Sequence, residues 1–374
     1  MTLPVARDSR RENLSLLLGG IGMLIGGLVG IFVLGPESRL FGRGSVGEVA
    51  AATALPVSAL AFGFAMNFVM ARVRPWLRQL PKFRQVYSIL GLALVHGALA
   101  TLVTVGLFSV FNEAFRGVLL DNWVGAFMVG VVCGISAYAT AASATALTTE
   151  SLSQLVAVFL VVGALASALN ASNELWWQVH FSALGATLDA SGIVFNFTLI
   201  LTGVVLITLA DFLTHDLRTW AERVGERRWK VGAIRLSLIA MGLCLAGIGS
   251  FPVTFSRFGH NFFTYSLMYV FAATLVAVPI LFRRLPGGFI GVTVVTIVLT
   301  VTFVYLRNGI DYLNVTAFEI VAVALVFVWL LLFVRTVSAA LVDQPRPRPA
   351  AVRESVSSAE RAALDRSGEP ARDG

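Results

Sequence analysis

Residues 174–213, ELWWQVHFSALGATLDASGIVFNFTLILTGVVLITLADFL, pass from a mixed polar and aromatic opening into a long apolar run. From Ala190 to Ala210 the run holds no charged side chain. About 20 such residues are enough to cross hydrocarbon as a helix. Lipid offers no partner for backbone N–H and C=O groups, so the run has to satisfy them internally, which a helix does. The opening, by contrast, concentrates two tryptophans, a histidine, an aspartate and small polar residues at the mouth of that helix.

Working outward from this helix, the same pattern recurs along the chain. Toward the N-terminus, apolar runs cover about 14–34, 48–71, 86–111, 123–147 and 150–169. Toward the C-terminus they cover about 231–250, 262–282, 289–306 and 315–334. The expectation is an all-α, polytopic membrane bundle of about ten helices. Composition agrees: 57% of residues are hydrophobic and 13% charged, where a soluble domain carries about 25% charged residues. The net charge of +7 does not point to nucleic acid, because the basic residues sit in links beside apolar runs, where they orient membrane proteins.

Those links set the topology. Ten helices put both termini on one side. With the termini cytoplasmic, only Arg39, Arg43, Arg116, Arg257 and Arg307 of the 28 Lys and Arg fall outside, as the positive-inside rule requires. The first run is too long and Gly-rich for a cleaved signal peptide and reads as a retained helix. Its Gly22, Gly26 and Gly30, four residues apart, form a smooth face for close helix packing. Cys133 and Cys244 lie in different apolar runs, so no disulfide framework is expected. The organisation read from the sequence is a cytoplasmic segment 1–13, a five-helix half 14–173, a second five-helix half 174–340 and a disordered cytoplasmic tail 341–374, whose composition cannot offset chain entropy.

In this topology the links after helices 5 and 7 share the outer side. They bring Glu174, Trp177, His180, Ser182, Asp189, Arg257, His260 and Asn261 to helix mouths. Asp189, Gly192, Asn196 and Gly203 recur at helical spacing and share a face. Asp189, Asn196 and His260 are expected to converge on an outward-facing polar pocket between helices 6 and 8. Three readings of these residues stand side by side. They join helix ends while Trp176 and Trp177 sit in the aromatic belt; they hold a lipid headgroup or small solute; or His180, His260, Asp189 and Glu174 form a metal or acid–base site. Against the last, there is no H-E-x-x-H, phosphate loop or nucleophile elbow, and Ser182 beside His180 in sequence is not a triad. No catalytic set, metal or cofactor is expected. His96, inside helix 3, reads either as a functional group or as a hydrogen-bonded packing residue.

The string WWQVHFSALGATLDASGIVFNFTLILTG followed by FPVTFSRFGHN at the next outward link resembles bacterial membrane proteins of the domain of unknown function 998 family, which are similar to DRAM/Sfk-type proteins. Ser182-Ala183-Leu184-Gly185, Phe195-Asn196, Thr202-Gly203, Phe251-Pro252 and His260 carry the resemblance, which covers about residues 174–340. It implies a multi-pass helical fold and a link to membrane-lipid handling, and supplies no catalytic residues. The functional expectation is a non-enzymatic, multi-pass protein of a bacterial plasma membrane whose outward pocket binds lipid or a small solute. Its expected partners are membrane lipids, a small solute and a membrane-protein partner or second copy. The alternatives are a secondary transporter or permease subunit, with two five-helix halves of opposite orientation, and, more remotely, a membrane-embedded metal-dependent hydrolase.

Overall fold

The computed structural model describes residues 4–282 and 284–342. Ten α-helices follow one another: α1 (Pro4–Val33), α2 (Val46–Arg72), α3 (Lys82–Ala114), α4 (Asn122–Thr145), α5 (Thr149–Leu169), α6 (Ala190–Val224), α7 (Arg228–Ser250), α8 (Arg257–Leu281), α9 (Gly287–Asn308) and α10 (Val315–Val342). Each contains a stretch long and apolar enough to cross a membrane. The chain is an all-α, multi-pass membrane bundle. The end of the bundle that holds the start of α1 and the end of α10 is called the terminal side below, and the opposite end the far side. The tail expected to be disordered lies, from residue 343 onward, outside the described residues.

Several helices run past the expected limits, and the reasons are local. α1 starts ten residues before its apolar run, and on that polar turn Glu12 accepts a hydrogen bond of 2.8 Å from the Tyr138 hydroxyl of α4. α6 continues beyond Leu213 through most of the stretch that reads as a charged loop. Its Asp211 is paired and its Asp216 accepts from Thr149, and Gly225, in the left-handed region at φ +73°, terminates it. A glycine suits that stop because a side chain there would be strained. The two links between α1 and α2 and between α3 and α4 pair as a short two-stranded antiparallel ladder, β1 (Glu37–Arg39) with β2 (Leu119–Asp121), in the register Glu37 to Asp121. Three residues per strand are too few to leave an alternation in the sequence.

Packing divides the bundle into two groups. α1 to α4 pack on one another, with α1 against α4 as the most extensive contact. The glycine face of α1 makes this approach possible. A Cβ on Gly26 would fall 2.7 Å from Cys133 Cβ, and one on Gly30 would fall 2.6 Å from Ala126 Cα. In the second group α6 is central, packed between α5 and α7, with α8 on α7 and with α10 on α5, α6 and α9. α5 leaves α4 after the short link at Thr148 and packs chiefly on α6. The far halves of α1–α4 enclose a small core of their own, including Val49, Val57, Phe108 and Val129. Their terminal halves share one continuous core with α5–α10, through Phe62, Leu92, Ala144, Phe159 and Leu209.

Candidate functional site on the far side

The stretch between α5 and α6 is folded into two 3-10 turns, Trp176–Gln178 and Phe181–Ala186. A buried reciprocal pair holds its base. Ser167 Oγ donates to Ser191 O and Ser191 Oγ to Ser167 O, each at 2.9 Å. Rings run from Trp176 to Phe181 and on to Phe195 of α6, the second pair edge-to-face at 5.2 Å. Leu175, Trp177, Val179 and Leu188 remain exposed, Leu188 almost completely at 99%. Such apolar side chains beside polar turns suit the headgroup layer, where amphipathic rings settle.

Asp189 is the N-cap of α6. It accepts from Gly192 N at 3.0 Å, from Thr187 Oγ1 at 2.6 Å and from Ser172 Oγ. The hydroxyl bonds from Ser172 and Thr187, then the Gly192 N–H, hold its carboxyl down at about 2 from the ordinary 3.8. An ionised cap is what free N–H groups at a helix start prefer. Asn196 donates to Gly185 O at 2.9 Å and ties the second 3-10 turn to α6. Both residues thus hold the stretch onto α6. A cavity of about 210 Å³ opens beside them, lined by Ser172, Trp176, Val179, Leu184, Thr187 and Ser191 among others.

The other half of the expected site is assembled differently. His180 Nδ1 lies 3.0 Å from Ser182 Oγ. The Ser182 backbone N–H donates to Glu319 Oε2 of α10 at 3.2 Å. His180 is close enough to act electrostatically on both Glu319 and His260. His260, at 6% exposure, has its Nδ1 3.2 Å from Phe251 O. Thr254 Oγ1 donates to Ala186 O at 3.0 Å and ties the α7–α8 link to the same stretch. One turn from Glu319 on α10, the Thr316 hydroxyl is buried without a hydrogen-bond partner. Thr316 and Glu319, three apart, are neighbours on the helix surface.

The structure therefore brings His180 and Ser182 to a residue the sequence reading passed over, Glu319, with His260 on the other side of His180. Asp189 and Asn196 are engaged with the α5–α6 stretch, and α7 packs against both α6 and α8. Glu174, Trp177, Arg257 and Asn261 are exposed on the far surface. A signal for Glu319 was present: it is the one charged residue in the otherwise apolar run 315–334, and such residues face protein or water rather than lipid. Among the described residues no three His, Cys, Asp or Glu side chains come together as a metal ion needs. His96 has its Nδ1 2.8 Å from Leu92 O and its Nε2 3.0 Å from Ser143 Oγ of α4, and stacks on Phe62, so it joins α3 to α2 and α4.

The terminal side holds a second polar cluster. Asp211 of α6, whose side chain is 3% exposed, is clamped by Arg84 of α3 through both guanidinium positions, Nε to Oδ2 at 3.1 Å, and approached by Arg235 of α7 at 3.3 Å. Nearby, Trp76 stacks on His215 at 4.4 Å and Arg74 lies over the Phe212 ring at 5.7 Å. Burial pulls the Arg74 guanidinium below its ordinary range, with Asp216 opposing that shift. No family model, curated protein or solved structure matches the chain.

Proposed function

We propose that this membrane protein lies in a bacterial plasma membrane with both termini cytoplasmic, and that its far side is a non-enzymatic, outward-facing site that binds a lipid headgroup or a small solute. One observation carries the reading. Glu319 sits at the far-side mouth of α10 and accepts from the Ser182 backbone N–H, and no Lys or Arg pairs with it among the described residues. A carboxylate near hydrocarbon is costly unless something satisfies it, and a bound ligand would do so. The distribution of Lys and Arg supports the orientation. The resemblance of residues 174–340 to the domain of unknown function 998 family points the same way, toward lipid handling.

Binding raises the melting temperature of a folded protein. Full-length protein in detergent should therefore melt higher with at least one of a panel of headgroup analogues and polar solutes. The rise should vanish in a His180→Ala, Ser182→Ala double variant. A panel without any shift would overturn the reading. Orientation is tested by Lys82→Cys and Arg257→Cys variants in intact cells. A membrane-impermeant maleimide should label position 257 and spare position 82; the reverse pattern refutes the orientation.

The second reading is a secondary transporter. It is favoured by the way the two helix groups join. Arg84–Asp211, Ser88–Thr208 and Trp76 with His215 and Phe212 tie them on the terminal side, while the far halves of α1–α4 have a separate core. Bodies joined at one end suit rocking motions of the kind that give alternating access.

A further inference from the structure

We infer that the ligand class of the far-side site is a primary ammonium group, free or carried on a lipid headgroup. The inference rests on the binding reading above and adds the charge and hydrogen-bonding sense of the ligand.

The argument is one of unmatched groups. Glu319 brings a carboxyl group to the mouth of α10, accepts from backbone N–H groups of the α5–α6 stretch and has the His180 imidazole, but no Lys or Arg among the described residues, acting on it. The far-side arginines are placed elsewhere. Arg116 pairs with Glu113, Arg307 with Asp311, Arg39 is on β1 beside α1–α4, and Arg43 is exposed in the same α1–α2 link. Arg257 is exposed at the start of α8. The positive end of the α10 dipole favours a carboxylate but fades beyond the first turn. Thr316, three residues before Glu319, is 5% exposed, and its hydroxyl is unpaired. A buried polar atom without a partner is uncommon and calls for an explanation.

These groups select among ligands. An anion would meet a carboxyl group with no Lys or Arg paired beside it among the described residues. A divalent metal would not find three His, Cys, Asp or Glu ligands together among the described residues. An apolar group would leave both Glu319 and Thr316 unsatisfied. A primary ammonium carries positive charge and three N–H donors. It matches a carboxylate and a neighbouring hydroxyl oxygen.

The test uses the full chain. Isothermal titration in detergent compares ethanolamine, ethyl phosphate and glycerol as free probes. Melting in nanodiscs of phosphatidylglycerol, with and without phosphatidylethanolamine, tests the lipid source. Saturable ethanolamine binding that weakens about tenfold or more in Glu319→Gln, as loss of a charged partner predicts, supports a free amine. No free binding, but a phosphatidylethanolamine-dependent rise in melting that Glu319→Gln removes, supports the lipid. Binding of ethyl phosphate or glycerol in place of either amine overturns the ammonium inference and leaves the binding reading standing. No response to any probe overturns both. Where Glu319→Gln does not fold, Thr316→Val decides: a roughly threefold loss of amine affinity supports the inference, and unchanged affinity overturns it.

Discussion

The two ends of the bundle handle polar groups in opposite ways. On the terminal side, full charges pair across helices: Asp211 with Arg84 and Arg235, Glu150 of α5 with Arg335 of α10. Lys230 of α7 reaches both Glu226 and Leu281 O at the end of α8. On the far side the polar contacts are mostly neutral. Hydroxyls and backbone N–H groups satisfy Asp189, and Glu319 accepts from the Ser182 backbone N–H at 3.2 Å with His180 nearby. The difference separates an end held together by charge from an end folded through neutral contacts. The charged end fixes which helices are neighbours. The neutral end leaves a carboxyl group without a Lys or Arg partner among the described residues, one turn from an unpaired hydroxyl.

The sharpest way to break the comparison is Asp211→Ala. It leaves two guanidiniums without their shared partner at the junction of α3, α6 and α7. Removing one member of a buried pair costs about 3–5 kcal/mol, and partial exposure of both arginines brings the expected loss to roughly 2–4 kcal/mol. A large fall in detergent melting temperature is expected; near wild-type melting would show that the charged end does not hold the groups together. Gly26→Leu probes a contact that uses no polar group at all. The new side chain meets Cys133 of α4, and overpacking should cost about 1–3 kcal/mol, read as lost folded yield. Wild-type yield and melting would mean that α1 is not seated on α4.

The smallest effect tests the neutral end. The Asp189 carboxyl is depressed from 3.8 to about 2, so it stabilises the fold once ionised in the unfolded chain, above about pH 4. That contribution is lost as pH falls through the folded value near 2. Asp189→Asn should lower the melting temperature slightly at neutral pH and flatten the acid limb of the profile between those values. An unchanged acid limb would place the pH dependence on other carboxylates and remove Asp189 from the account of this end.

The number of crossings and the identity of each span were legible in the sequence, because hydropathy is a local sum over about 20 residues. The mouth residues His180, Ser182 and His260 were legible too, as polar side chains at the starts of apolar runs. Helix ends were less so. The His215–Lys230 stretch reads as a charged loop, yet most of it continues α6 because Asp211 and Asp216 find partners on other helices. Glu319 meets Ser182 across 137 positions of sequence, and Asp211 meets Arg84 across 127. Hydropathy carries no information about which apolar helices lie side by side, since lipid tails are as apolar as leucine and give no preference. Close-packing glycines such as Gly26 and Gly30, and the few charges that must find one another, settle the lateral order. That order exists only in the folded bundle. The chain's own sequence determined that its described residues form ten helices long and apolar enough to cross a membrane, and the tertiary structure decided which polar groups those helices bring together.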